Sequence, residues 1–329
     1  MLFRSRLAIS EDGISVVRVR KAHRADRLAC IIKTTSMILI GIGYPEFSSK
    51  KSKHTYSDHT KIGLLAVMEY LGKSFAEFTK LMPSFIGMIE AARMKDIPDE
   101  STLRKFRKRS DACILDKVIR YQSMMINGPC ELTAAVDATG FSTTHASKYY
   151  ISRLKYFGTE NSIVRGYTKV SLAVCVHTKT ILAADTVGER AADITRLNFL
   201  VDKLSESNNS ISHLIADKGY DSEDAHRYIR EKLNAESIIP VRNMTEPAKT
   251  GSKRRRTVGF YRGLMKFSFD AETYRMRSIV ETVNSMVKGV LGEILDGRTA
   301  DTRHSETMFR CIAHNFRVGL ELSSSGMRV

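Results

Sequence analysis

Hydrophobic and polar positions along the chain fall into two regimes that meet near residue 128. In the first, apolar residues recur at helical spacing. Leu64, Leu65, Val67, Met68 and Leu71 form one face that ends at Gly72, a residue suited to closing a helix. Ser74 and Glu77 form a capping box that opens a second helix, which must stop before Pro83. Residues 84–94 predict a third short helix. Asp99 caps a fourth, whose surface carries Arg104, Lys105, Arg107, Lys108 and Arg109. Residues 1–44 are less decided: 13–19 alternates as a strand does, and 31–42 fits helix or strand. Residues 45–60 are polar and read as a linker or surface loop.

The second regime alternates strands with helices. Residues 132–136 are a short apolar run, with Asp137 placed where the strand emerges. Residues 169–177 and 180–187 predict a hairpin turned at Thr178 and Lys179. A helix over 194–204 follows, with Asp193 as its cap, then a buried strand over 211–216 that ends at Asp217. Asp221 or Ser222 caps a helix reaching about Leu233, and 236–241 is the fifth strand. This order predicts an α/β fold, a mixed sheet covered by helices. Residues 242–270 interrupt it with a basic insertion that includes Arg254, Arg255 and Arg256, with Phe260 and Tyr261 between its charged clusters. An amphipathic helix from about 303 to 320 and a polar tail complete the chain.

The stretch 274–288 orders its polar groups most sharply. Wound as one α-helix, with Tyr274 as zero, Arg277 falls at about −60°, Glu281 at about −20° and Lys288 at about −40°. Met276, Ile279, Val280, Val283 and Val287 occupy the opposite half. One face can therefore dock on a core, while the other aligns a hydroxyl, two cations and one carboxylate. That line suits a metal-binding carboxylate set beside groups that hold a phosphate backbone.

Composition narrows the function. A net charge of +16 over 329 residues favours a polyanionic partner, nucleic acid before a membrane surface. The length predicts two domains, or one with an appendage. Five cysteines without a C-x-x-C pair read as reduced thiols and offer no zinc site. The N-terminal residues lack the apolar run of a signal peptide. Residues 28–44, the most hydrophobic stretch, are too short and polar to span a bilayer. The basic last helix of the first regime suggests a helix-turn-helix-like DNA-binding module, although a small bundle with a solvated charged face has the same pattern.

Asp137, Asp217 and Glu281 are the candidate catalytic and metal-binding set. Three acids without nearby His or Cys suit Mg²⁺, with Mn²⁺ able to substitute, and phosphodiester cleavage is well served by two such ions. Each acid alone also has an ordinary use: Asp137 as a turn cap, Asp217 fixing the loop at Gly219, Glu281 as a solvated helix residue. His177 reads as a hairpin histidine rather than a ligand. The Asp137-Ala-Thr sequence lacks the second acid, at Thr139, that a haloacid-dehalogenase-type phosphatase needs.

The spacing Y-x2-R-x3-E-x6-K, with VDATGF around Asp137 and IADKGYDS around Asp217, resembles the acid motifs of prokaryotic insertion-sequence DDE transposases. The resemblance covers roughly residues 50–320. It implies an RNase H-like catalytic domain over 128–322 that carries the insertion at 242–270. A helical, DNA-binding region over 60–127 precedes it, residues 1–59 stay unassigned, and 323–329 form a tail. It further implies metal-dependent cleavage at the element's ends and cut-and-paste strand transfer into target DNA. Tyr274, Arg277 and Lys288 would contact end DNA near the scissile phosphate. Double-stranded terminal repeats and target DNA would be the partners, a homodimer would hold two ends, and the setting would be cytoplasmic, on the nucleoid. Arg254–Arg256 and Arg104, Lys105 and Lys108 are expected to contact the DNA backbone. The alternative is a catalytically silent, transposase-derived, sequence-specific DNA-binding protein.

Overall fold

A computed structural model describes residues 7–10, 13–16, 27–48, 54–143, 156, 167–188, 194–207, 209–242 and 259–325. Arg254, Arg255, Arg256 and Asp193 lie outside the described residues.

The chain opens with a two-stranded antiparallel hairpin, β1 (Leu7–Ser10) and β2 (Gly13–Val16). Six helices follow: α1 (Arg27–Gly41), α2 (Asp58–Tyr70), α3 (Phe75–Leu81), α4 (Ile86–Ala91), α5 (Glu100–Arg109) and α6 (Ala112–Asn127). The caps sit where the side-chain chemistry places them. Ser74 and Glu77 form the reciprocal capping box, and the Asp99 carboxylate accepts the Ser101 amide at 2.8 Å. The undecided stretch at 31–42 lies within α1, buried through Ile31, Ile32, Ile38 and Leu39. The third predicted helix, over 84–94, is present but shorter: a 3₁₀ turn over Met82–Ser84, with Pro83 inside it, precedes α4.

Five strands then form one sheet, β3 (Leu132–Ser142), β4 (Tyr167–Cys175), β5 (Ile181–Gly188), β6 (Ile211–Ala216) and β7 (Glu236–Ile238), in the order β5-β4-β3-β6-β7. β4 is antiparallel to both β3 and β5, while β6 is parallel to β3 and β7 to β6. Only β4 therefore runs against the other four, the arrangement expected of an RNase H-like sheet. Interleaved with the strands and following them are α7 (Ile194–Ser205), α8 (Glu223–Leu233), α9 (Phe260–Phe267), α10 (Ala271–Arg275), α11 (Ser278–Leu291) and α12 (Ala300–Ser325). Two expectations need correction. β3 does not end at Asp137 but continues five residues further, because 138–142 keep pairing with β4. The fifth strand is only three residues long and stops before Pro240, which has no amide to give a ladder.

Alternation along the strands divides the core into two. Leu132, Ala134 and Val136 of β3 pack with Leu197, Leu200, Val201 and Leu204 of α7 and Ala225 and Ile229 of α8. Ala135 and Phe141 face the other way, into a larger cluster with Val280, Val283 and Val287 of α11 and Met308, Phe309 and Ile312 of α12. That second cluster runs on without a break into α1–α6, through residues such as Leu65, Phe78 and Leu115. Among the described residues, no helix is long and apolar enough to cross a membrane.

Candidate active site

Register brings the two aspartates together. The last parallel pair between β3 and β6 is Val136 with Ala216, so Asp137 and Asp217 are the next residues of neighbouring strands. Adjacent strands lie about 4.8 Å apart. Alternation also puts both aspartates on one face, since Ala135 and Ile215 belong to the larger cluster and the aspartates follow two residues later. Asp217 begins the 3₁₀ turn Lys218–Tyr220 without any capping hydrogen bond from its side chain, so its carboxylate is not spent on that turn. Asp137 lies inside a strand rather than at a turn, with a hydrogen bond to the neighbouring Ala138 backbone.

The same face is covered by α11. Val280, Val283, Asn284, Val287 and Leu291 are its buried residues, at the spacing of one helical stripe. Glu281 and Lys288 ride beside that stripe. The stretch 274–288 is not the single helix expected. It divides into α10 and α11, and the amides of Met276, Arg277, Ile279 and Val280 each bond the carbonyl three residues back. This tighter 3₁₀-type winding lets the Tyr274 ring pack on Phe269, 5.2 Å between centroids, while Val280 still seats in the core.

Arg277 and Glu281 are joined by a hydrogen-bonded ion pair of 2.6 Å, with the Glu281 side chain 52% exposed. The groups also act on one another through charge. Burial above all raises the Asp137 carboxyl above its ordinary value, and the charges of Glu281 and Asp217 push it the same way. The backbone hydrogen bond at Ala138 and the Arg277 guanidinium pull it down. Burial likewise raises the Tyr274 hydroxyl, against the pull of the neighbouring Arg277 cation and with a push from Asp217 and Glu281. Asp137, Asp217, Glu281, Tyr274 and Arg277 thus form one electrostatic unit. Lys288 stands over the Phe141 ring at 5.4 Å, near the far end of β3.

Among the described residues, no three His, Cys, Asp or Glu side chains are gathered into a ready-made metal cage. The donor set nevertheless fits hard divalent cations. It is all carboxylate, the charges of Glu281 and Asp217 raise the Asp137 carboxyl, and the exposed Glu281 is held by a single arginine rather than by packing. His177 is exposed in the hairpin turn, away from any ligand role.

The chain matches the family model of the transposase DDE domain over residues 128–316. It belongs to the DDE transposase family. The match runs from just before β3 into α12 and contains Asp137, Asp217 and Glu281. Five solved chains match. One is the piggyBac transposase in a synaptic complex with hairpin DNA, at 12% identity and a TM-score of 0.43, covering 93% of this chain and 78% of that one. No curated protein matches the sequence.

The DNA-contact expectations divide once the side chains are placed. Lys105 and Lys108 are exposed on α5. Arg104 is also outward but paired with Glu100 at 2.6 Å, and its guanidinium stacks over Phe75. Arg107, from the same basic run, turns inward to Glu69 at 3.3 Å and Glu306 at 3.6 Å. Sequence reasoning missed two further features of the site's surroundings. Arg262, in the insertion, makes a two-pronged bond to Asp221, with Nε to Oδ1 at 2.8 Å and Nη2 to Oδ2 at 2.7 Å. The Glu223 carboxylate accepts the Tyr261 and Arg262 amides. The start of α9 is therefore clamped to the loop that leaves Asp217. The only local signal was the opposite charge of Arg262 and Asp221, forty-one residues apart.

Proposed function

We propose that this transposase cuts the ends of a mobile DNA element and joins the freed ends to target DNA, with Asp137, Asp217 and Glu281 as its catalytic and metal-binding residues. The observation that carries this reading is geometric: register sets Asp137 of β3 beside Asp217, the residue after β6, on the sheet face covered by α11, the helix that bears Glu281. Those three acids would hold Mg²⁺, or Mn²⁺ in its place, two ions to a site. Bound there, such ions activate the attacking oxygen and neutralise charge on the leaving one.

The remaining work belongs to the protein's own groups. In the first step water attacks the phosphorus at the element's end. The bond to the 3′ oxygen breaks, the water oxygen stays on the 5′-phosphate, and of the water's two protons one ends on the 3′ oxygen as a free hydroxyl and the other passes to solvent. In the second step that hydroxyl attacks a target phosphodiester, so one ester bond replaces another and no outside energy source is needed. Arg277 retains guanidinium donors beyond the one bonded to Glu281 and is placed to hold a phosphate oxygen. Tyr274 and Lys288 extend that grip on both sides of it. Lys105 and Lys108, with Arg104, contact the backbone further out, as do Arg254–Arg256. Functionally, 60–127 serves as a DNA-binding region and 128–322 as the catalytic domain, with two copies holding two ends in a cytoplasmic, nucleoid-bound complex.

The test maps strand nicks on DNA that carries the sequences flanking the gene, with Mg²⁺ or Mn²⁺, for wild type and Glu281→Gln. Metal-dependent nicks at the element boundary that vanish in the variant are expected. Equal binding without cutting by either protein would sink the catalytic reading and favour a silent DNA-binding protein.

A further inference from the structure

Four ionisable side chains, three buried and one mostly so, meet where the N-terminal helices join the catalytic domain. They are Glu69 of α2, Arg107 of α5, and Glu306 and Arg310 of α12. Arg310 bonds Glu306 at 2.7 Å and faces Glu69 at 3.7 Å, while Arg107 faces both glutamates. Two arginines and two glutamates thus face one another where water has little access, and burial raises the Glu69 carboxyl so that it carries its full charge only above about 7. Such a cluster is a poor device for stability alone, since well-packed apolar residues would do as well or better. What it grips is more telling.

The Arg310 guanidinium donates to the carbonyls of Gly292 at 2.6 Å and Ile294 at 2.7 Å, the residues that follow α11. Gly292 has a φ of 98°, a backbone shape that other residues adopt only with strain. The Glu306 carboxylate accepts the amides of Asp296 and Gly297 at 3.1 and 3.0 Å. The same segment is laced to the end of β3, with the Ser142 amide to Glu293 and the Leu295 amide to Ser142. Arg310 also stands 5.9 Å from the Phe141 ring centroid. One cluster therefore fixes the end of the helix that bears Glu281 against the end of the strand that bears Asp137. Its other side is Arg107, which comes from the helix that exposes Lys105 and Lys108.

We propose that Glu69, Arg107, Glu306 and Arg310 are positioning residues that couple the seating of α5 on DNA to the alignment of Glu281 with Asp137. The coupling rests on the reading of α5 as a DNA-facing helix. DNA pulling on α5 moves Arg107, the Arg107 fork shifts the two glutamates, and these carry Arg310 and the α11 end with them. None of the four touches the reacting phosphate.

The test compares full-length wild type with Glu69→Met/Arg107→Met at a pH above 7, where Glu69 is charged, so that one charge of each sign is removed. The probe is linear duplex DNA carrying the flanking sequences, and the readouts are amide hydrogen exchange over 278–297, duplex binding and metal-dependent nicking. In wild type, bound DNA slows exchange over that segment. In the double variant the DNA still binds within about threefold, the slowing is lost, and nicking falls by roughly tenfold or more. Arg107→Lys, which keeps the charge but not the fork, falls between the two and carries the test if the double variant does not fold. Slowing that persists in the variants, or is absent in wild type with DNA bound, overturns the proposal. A wild type whose exchange responds to DNA but which never nicks leaves the coupling standing and removes the catalytic reading. Failure to bind the duplex overturns both.

Discussion

The two faces of the sheet are built from the same alternating strands but are used differently. On the face of α7 and α8, the core beneath the helices is apolar except at one end of α8, where His226 bonds Ser237 and Asp221 holds Arg262, and its helices are near neighbours in sequence of the strands they cover. On the face of α11 and α12, the apolar core is shared with the carboxylates of Asp137, Asp217 and Glu281 and with the Glu69, Arg107, Glu306 and Arg310 cluster. Its elements come from both ends of the chain, α2 and α5 from one and α11 and α12 from the other. On the proposed reading, the difference separates the face that carries the chemistry from the face that supports it. A face assembled from distant segments can set charges against each other in fixed geometry, whereas a face made by local crossovers mainly seals the sheet.

Substitutions can sharpen that contrast. The largest effect is expected at the proposed catalytic acids on the face of α11. Asp217→Asn should reduce metal-dependent nicking by about a thousandfold or more while leaving duplex binding within a few-fold, checked by nick mapping beside gel-shift titration. Retention of nicking would remove Asp217 from the site. On the opposite face, Leu200→Ala should cost roughly 2–5 kcal/mol in denaturant unfolding, because Leu200 is fully buried, with nicking per folded molecule unchanged. A loss of specific activity there would show that both faces are catalytic supports.

A smaller effect is expected on α5. Lys105→Gln with Lys108→Gln should weaken duplex binding several-fold and reduce the slope of log affinity against log salt by about two. An unchanged slope would take α5 off the DNA. The smallest effect concerns pH. Burial raises the Glu69 carboxyl from 4.5 to about 7, with Glu306 pushing the same way and the Arg310 and Arg107 cations pulling it down. The folded state then holds a proton that the unfolded state has lost between those values. Stability from this group is full below 4.5, declines as pH rises through 7, and is level above. Glu69→Gln should flatten that decline by a few degrees of Tm, read from thermal melts across the range. A parallel pH profile in the variant would mean that Glu69 stays ionised throughout.

Much of the fold could be read along the chain. The strand at 211–216, the hairpin after Lys169 and the caps at Ser74, Asp99 and Ser222 all follow from patterns spanning a few residues, and all are present. The three acids stood out because two close apolar runs and the third sits in an ordered line of polar groups. Arg107 was misplaced with the outward cations of α5, since nothing near it in sequence distinguishes it from Lys108. The tightening between Tyr274 and Val280 was also invisible, because the pattern on either side of it is helical.

By itself, the sequence determined the elements, the candidate acids and the preference for a polyanionic partner, because periodicity, capping chemistry and net charge are local or additive properties. Only the tertiary structure decided which acids share a face, how far β3 runs beyond Asp137, and which arginines turn inward. Those depend on register between strands far apart in sequence, and on whether a buried cation finds its carboxylate. Arg107 finds Glu69 thirty-eight residues before it and Glu306 almost two hundred after it, a pairing that exists only once the chain has closed around it.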